Sequence, residues 1–214
     1  MAHPFWPLFD LRVRTEHLEL RVATDDDFPG LLDAIDAGIH DPAFMPFAVP
    51  WTDVPEPERS RRAVQHWWRA RAGLTPEQWN LPLMVTRDGQ ALGFQDVMAE
   101  HFAVLRMVTT GSWLRQDVQG QGIGKEMRAA VLHLAFAGLG ADAACSSAFA
   151  GNDASARVSE ALGYEFDGWE RKAPRGTPVD VRRYRLTRER WQQRPRIDVE
   201  VEALEPCLPL FGLG

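Results

Sequence analysis

The chain of 214 residues holds only two cysteines, Cys145 and Cys207. Two are too few for a disulfide framework, so the sequence predicts a reduced, cytoplasmic protein. No Cys/His pair has the spacing of a zinc site, and no metal is expected. Positive charge is in deficit. Lys plus Arg number 24 against 30 Asp plus Glu, a formal net charge of −6. That balance excludes a general nucleic-acid binder and leaves room only for a local basic patch. No apolar run approaches the length of a membrane span, so no membrane partner is expected. Near the start, Phe5, Trp6, Leu8, Phe9 and Leu11 are interrupted by Pro4, Pro7 and Asp10, with no basic segment before them. That pattern does not predict a signal peptide. What remains is ordinary for a globular enzyme-sized chain, with 45% apolar and 25% charged residues.

The informative stretch is Val118-Gln119-Gly120-Gln121-Gly122-Ile123-Gly124-Lys125-Glu126. From it, apolar residues recur at Ile123, Met127, Ala130, Val131 and Leu134, one face of a helix. Met107 to Leu114, just before it, reads as a strand. A strand, a glycine-rich loop and a helix N-terminus form an anion site. Glycine lets the backbone approach closely, and the first-turn N–H groups have no intrahelical partners. The helix dipole adds about half a positive charge there; Lys125 adds a full charge, and Arg115 is a second candidate. A dinucleotide fingerprint requires a third glycine where Lys125 stands. A P-loop requires glycine at 119 and Ser or Thr at 126, where Gln119 and Glu126 stand.

The spacing that does fit is Gln-x-x-Gly-x-Gly, at Gln119, Gly122 and Gly124. It resembles the acyl-CoA pyrophosphate loop of the GNAT acyltransferase superfamily. Gly111-Ser112-Trp113-Leu114 is similar to the strand end before this loop in the RimJ/RimL-like branch. Asn152-Asp153-Ala154-Ser155, followed by Arg157 to Tyr164, resembles that branch's Asn-x-x-Ser and Leu-Gly-aromatic helix. The resemblance runs from about Leu18 to Trp191. It implies an α/β fold with a central mixed, mostly antiparallel sheet of about seven strands, splayed in the middle and flanked by about four helices. It also implies acyl transfer from acetyl-CoA or another short acyl-CoA to a small-molecule or protein amine by direct attack. Gln119, Gly120, Gln121, Gly122, Ile123, Gly124 and Lys125 would cradle the pyrophosphate through backbone N–H groups. Ser112, Trp113 and Leu114 would pair with the pantetheine amides, and a backbone N–H there would hold the oxyanion. Asn152 would bond the pantetheine arm or cap its helix. Ser155 matches the position that touches the cofactor and assists the departing thiolate.

Taken in order, residues 1–14 read as an irregular arm. Leu18 to Val22 alternates as a strand, and Thr24 to Asp27 resembles a capping box before a helix with Leu31, Leu32, Ile35 and Ile39 inward. Pro42, Pro46, Pro50 and Pro55 break up residues 41–56, leaving an aromatic loop. Phe44, Phe47 and Trp51 are its candidate acceptor-binding residues, against the alternative of a loop that only covers the core. Arg59 to Ala72 is a second helix whose Arg61, Arg62, Arg69 and Arg71 read as a solvated basic face. Leu81–Thr86 and Ala91–Glu100 are strands joined by the Asp88-Gly89 hairpin, and Val104–Leu114 is a third. The loop helix runs to about Leu139. A buried strand follows over Asp142–Ala150, then a helix over Ala154–Leu162, a hairpin of Glu165–Lys172 with Val179–Leu186, and a helical turn ending at Trp191. Residues 1–214 are expected to be one acyltransferase domain with a tail from 192 to 214. In that tail Ile197, Val199 and Val201 alternate with Asp198, Glu200 and Glu202, which predicts a strand with one acidic face.

An amine acceptor arrives mostly protonated, so a base is needed. Glu100 and Asp96, on one side of the strand beside the loop strand, are the candidates, with Glu100 preferred and His40 weaker. Cys145 would serve a ping-pong route but sits in a small-residue strand and is expected to be inert. Succinyl-CoA stays open as donor, since a carboxylate on the acyl group needs only one cation near the thioester. A catalytically idle CoA-binding regulator is the reading from another class; it would keep the loop and lose the proton-handling groups. Apolar residues at both ends, Phe5–Leu11 and Leu208–Leu213, predict a homodimer.

Overall fold

The protein is described here by a computed structural model, from residue 3 to residue 214. Alternating side chains in the outer strands and near-continuous apolar runs in the central ones draw nine strands into one sheet. They are β1 (Arg12–Arg14), β2 (Glu19–Val22), β3 (Gln78–Arg87), β4 (Gln90–Glu100), β5 (Met107–Leu114), β6 (Ala143–Phe149), β7 (Glu165–Lys172), β8 (Val179–Thr187) and β9 (Glu200–Glu202). Their spatial order is β7-β8-β6-β5-β4-β3-β2-β1-β9. The β5–β6 pair is parallel and the others antiparallel. The β3–β4 hairpin turns at Asp88 and Gly89, with φ of 53° and 77°, as an Asp-Gly pair allows.

The helices are α1 (Phe28–Asp36), α2 (Glu58–Ala72), α3 (Phe102–Leu105), α4 (Ile123–His133), α5 (Asp153–Ala161) and α6 (Arg188–Gln192). On one face of the sheet, α1 and α2 bury Leu31, Ile35, Ala63 and Trp67 against Met84 and Phe94. On the other, α4 and α5 bury Met127, Ala130, Val131 and Ala156 against Val97, Val108 and Ala144. The expected capping box is present: the Thr24 N–H donates to Asp27 Oδ2 at 2.7 Å. A π-helical turn, Leu134–Gly138, extends α4 close to the expected end.

Three expectations change. The sheet has nine strands instead of seven, because both chain ends join it. The arm expected to be irregular over 1–14, whose first two residues lie outside the described part, contains β1, with Val13 fully buried. Its partner β9 is cut from the acidic tail, and Arg14 reaches both Glu19 and Glu202. The apolar tail docks on this chain: Cys207 and Phe211 are fully buried, and Leu8 is 1% exposed. Much of the apolar material at the two ends packs on this chain's own core, while Phe5 stays 86% exposed. Finally, Val104 and Leu105 belong to the single turn α3, because left-handed residues at His101 and Arg106 bracket them and reverse the chain. Among the described residues, no helix is long and apolar enough to cross a membrane.

The middle of the sheet is splayed. β5 and β6 pair only from Met107–Ala143 to Thr109–Cys145. Beyond that point β5 continues along β4 and β6 along β8. Thr110 to Leu114 thus presents an open edge to the gap between two neighbours.

Candidate active site

A cleft of about 1670 Å³ fills that gap and continues beneath α2 and the 39–54 loop. It exceeds the roughly 300–1,000 Å³ of a drug-sized ligand site and suits an extended ligand with a second reactant.

The glycine loop forms one end. Gly120 and Gly122 have φ of +74° and +88°, a backbone that residues with a side chain rarely adopt. The N–H groups of Gly120 through Gly124 make no backbone hydrogen bond among the described residues. The Gln119 N–H bonds to Gln116 O and that of Lys125 to Gly122 O, so the expected cradle is shorter at both ends. Gln119 contributes its side chain differently: Nε2 donates to Leu114 O and to Ile39 O, each at 2.8 Å, pinning the loop to the end of β5. Gln121 is exposed and ties back to Asp117 O. The Ile123 side chain is buried in the core, leaving only its backbone for a ligand. Lys125 lines the cleft, whereas Arg115 is held by Asp117 in a two-pronged ion pair and adds no free charge.

Ser112, Trp113 and Leu114 line the cleft along the open edge of β5. Across from them stands the first turn of α5. The Asn152 side chain caps it, Oδ1 accepting from the Ser155 N–H at 3.2 Å. Asn152 and Ser155 both face the cleft.

The other end is aromatic. Phe44, Phe47 and Trp51 all line it. Phe47 packs on Trp51, Trp51 on Trp113, and Trp113 on Phe94, with centroids 5.5, 6.2 and 5.8 Å apart. His40 also lines this end, but both ring nitrogens are engaged. Nδ1 lies 2.8 Å from Asp41 O and Nε2 2.7 Å from Thr52 Oγ1. A carbonyl only accepts, so Nδ1 carries the proton and Nε2 accepts from the threonine, leaving no lone pair for a substrate. Arg62, His66 and Arg69 of α2 border this mouth, so the basic face expected to be merely solvated overlooks the site.

Asp96 and Glu100 separate clearly. Glu100 is exposed at the far end of β4, opposite Gln78, and does not border the cleft. Asp96 does, between Phe94 and Met98, facing Gly111 on β5. Desolvation among these apolar neighbours pushes its carboxyl up to about 7. Cys145 lies outside the cleft lining, and burial raises its thiol pKa, against a thiolate nucleophile. Among the described residues, no group of three His, Cys, Asp or Glu could hold a metal.

A splayed mixed sheet with a glycine-rich loop of free N–H groups at the gap defines a class of fold. Residues 17–165 match the family described as acetyltransferase (GNAT) domain. The chain belongs to that family. Solved structures of the same fold include Mycobacterium smegmatis RimJ in complex with CoA-disulfide, at 17% identity, covering 94% of each chain, with a TM-score of 0.72. The RimL ribosomal L7/L12 α-N-protein acetyltransferase in complex with coenzyme A is similar at 19% identity, over 81% of this chain and 95% of that one, TM-score 0.61. A Salmonella typhimurium acetyltransferase that modifies the N-terminal serine of L7/L12 shares 18% identity over 81% and 96% of the chains, TM-score 0.64.

Proposed function

We propose that this chain, as a single acyltransferase domain, moves a short acyl group from acyl-CoA to a primary amine of a small molecule or protein. One juxtaposition carries the reading. The open edge of β5 has free N–H groups of the glycine loop at one end and the raised carboxyl of Asp96 beside it. The loop holds the pyrophosphate and the β5 edge pairs with the pantetheine. The amine enters along Phe47, Trp51 and Trp113. Asp96, half ionised near neutral pH, removes the ammonium proton. The neutral amine attacks the thioester carbonyl, a backbone N–H on the β5 edge steadies the oxyanion, and the C–S bond breaks. The Ser155 hydroxyl donates to the departing sulfur. Acetyl-CoA is the smallest donor this reading covers and the one the family resemblance suggests first, and similarity to RimJ and RimL favours a protein N-terminal amine.

The test is to incubate the full chain with acyl-CoA donors and a panel of amines and peptides, following free thiol and acylated product. Loss of CoA binding would overturn the acyl-CoA reading. CoA binding without transfer to any amine would leave the idle regulator.

A further inference from the structure

Arg128 lies on α4, one turn beyond the glycine loop, and is only 3% exposed. Its guanidinium reaches under the gap where β5 and β6 part. Nη1 donates to Ser146 Oγ at 2.8 Å and to Ser159 Oγ at 3.3 Å, and Nη2 donates to Ser112 Oγ at 3.3 Å. These serines belong to β6, α5 and β5, so three elements converge on one cation. Among the described residues Nε has no hydrogen-bond partner, and the buried Tyr164 is the titratable neighbour that bears on Arg128. Arg128, Thr110 and Ser112 all line the cleft.

Serine hydroxyls accept hydrogen bonds but cannot neutralise a charge, and no carboxylate among the described residues pairs with Arg128. Guanidinium does not shed its proton in a protein, so burial leaves a permanent cation uncompensated. Its neighbours on α4, Met127 and Val131, show that the interior there accepts aliphatic side chains. A neutral acetyl group would leave the charge as it is. An acyl chain ending in a carboxylate would match it, and Ser112 stands on the β5 edge that the acyl-CoA reading assigns to the thioester arm.

We propose that Arg128 is a specificity-determining residue that selects an acyl-CoA whose acyl chain ends in a carboxylate, succinyl-CoA being the probe. The inference rests on the acyl-CoA reading above. The transfer is unchanged in balance: the amine nitrogen bonds to the acyl carbon, the C–S bond breaks, the amine loses one proton and CoA leaves as the thiol. The distal carboxylate stays on the product amide.

The test compares CoA, acetyl-CoA and succinyl-CoA binding to the full chain by calorimetry, without an acceptor. Succinyl-CoA should bind at least about tenfold more tightly than acetyl-CoA, as expected for a charged hydrogen-bonded pair. Arg128→Met should abolish the preference. Arg128→Lys, which keeps the charge and loses the fork, should keep part of it. Melting temperatures on the same preparations show whether each variant is folded, and the wild-type comparison needs no variant. Equal affinity for the two donors, or a preference that survives in folded Arg128→Met, would overturn the proposal while leaving the acyltransferase intact. Failure to bind CoA itself would overturn the acyl-CoA reading and this proposal together.

Discussion

Arg175 and Asp53, 122 residues apart, meet in a two-pronged ion pair: Nε to Oδ2 at 2.7 Å and Nη2 to Oδ1 at 2.6 Å. Arg175 also donates to Pro42 O at 3.0 Å. The β7–β8 turn thereby clasps both ends of the aromatic loop that walls one end of the cleft. The pair is exposed and screened, so its effect is modest. Arg175→Ala should raise KM for the amine by about two- to fivefold and leave CoA affinity unchanged. The Arg175 hydrogen bonds lower the Asp53 pKa, so the clasp persists at neutral pH and opens only as pH falls through that lowered value. Steady-state kinetics at fixed acyl-CoA checks the expectation.

Asp96 should control the acidic limb of the pH profile. With its carboxyl raised to about 7, kcat/KM should fall with unit slope below that pH. Asp96→Asn should lose about 10²–10⁴ in kcat and lose that limb. Stability should move the opposite way. A carboxyl whose folded pKa lies above its unfolded value stabilises the fold at low pH, and that contribution is lost as pH rises from about 4 to about 7. The variant should therefore melt higher than wild type at pH 8. An acidic limb that survives in the variant would remove Asp96 as the base.

Gly122 should matter more to CoA than Lys125. At φ +88°, a β-branched residue is strained whatever the space around it. Gly122→Val should distort the run of free N–H groups and weaken CoA binding far more than Lys125→Ala, whose side chain adds one exposed charge. Calorimetry on both variants decides, and equal losses would count against the backbone cradle.

Ser155→Ala should lower kcat by less than the about 10²–10³ typical of losing one oxyanion donor, because sulfur accepts hydrogen bonds poorly. Acyl-CoA affinity should hardly change. The cap of α5 depends on the Ser155 backbone N–H, not its hydroxyl, so the melting temperature should stay put. Measuring both on one preparation separates chemistry from folding.

Phe211 anchors the tail. It is fully buried, with its ring edge-on to Trp79 at 4.9 Å. Phe211→Ala should cost about 3–5 kcal/mol, a melting shift on the order of 10 °C for a chain of this size. A thermal melt that does not move would mean the tail contributes nothing to the fold.

How far these features could be read from the chain depends on their range. The β2 to β8 strands and the four longer helices follow from periods of 2 and 3.6 that each segment carries alone. The loop was legible because Gly120 and Gly122 act through local backbone freedom. Arg12-Val13-Arg14 is too short to declare itself and becomes a strand only as a basic edge against acidic Glu200-Val201-Glu202, whose alternation with the residues before it does read as a strand. Asp96 and Glu100 share one face by period, and only the cover of the surrounding elements tells them apart. Val104 and Leu105 look like strand residues, yet the reversal at His101 and Arg106 overrides that preference. Arg128 did leave a signal, since a charge on the inward face of a helix is anomalous. Its serines, on three other elements, could not be placed without the fold.

The pairing of β1 with β9 also fixes an order of events during synthesis. Arg14 and Glu202 are separated by 188 positions, yet they close the same sheet edge. A nascent chain can assemble the glycine loop and both flanking helices while β1 still shows an unpaired edge to solvent. That edge is a template for pairing with another chain until residues 200–202 can pair with it. Newly made copies stalled before residue 200 should therefore be the ones most prone to associate, and the acidic tail doubles as the cap that ends that exposure.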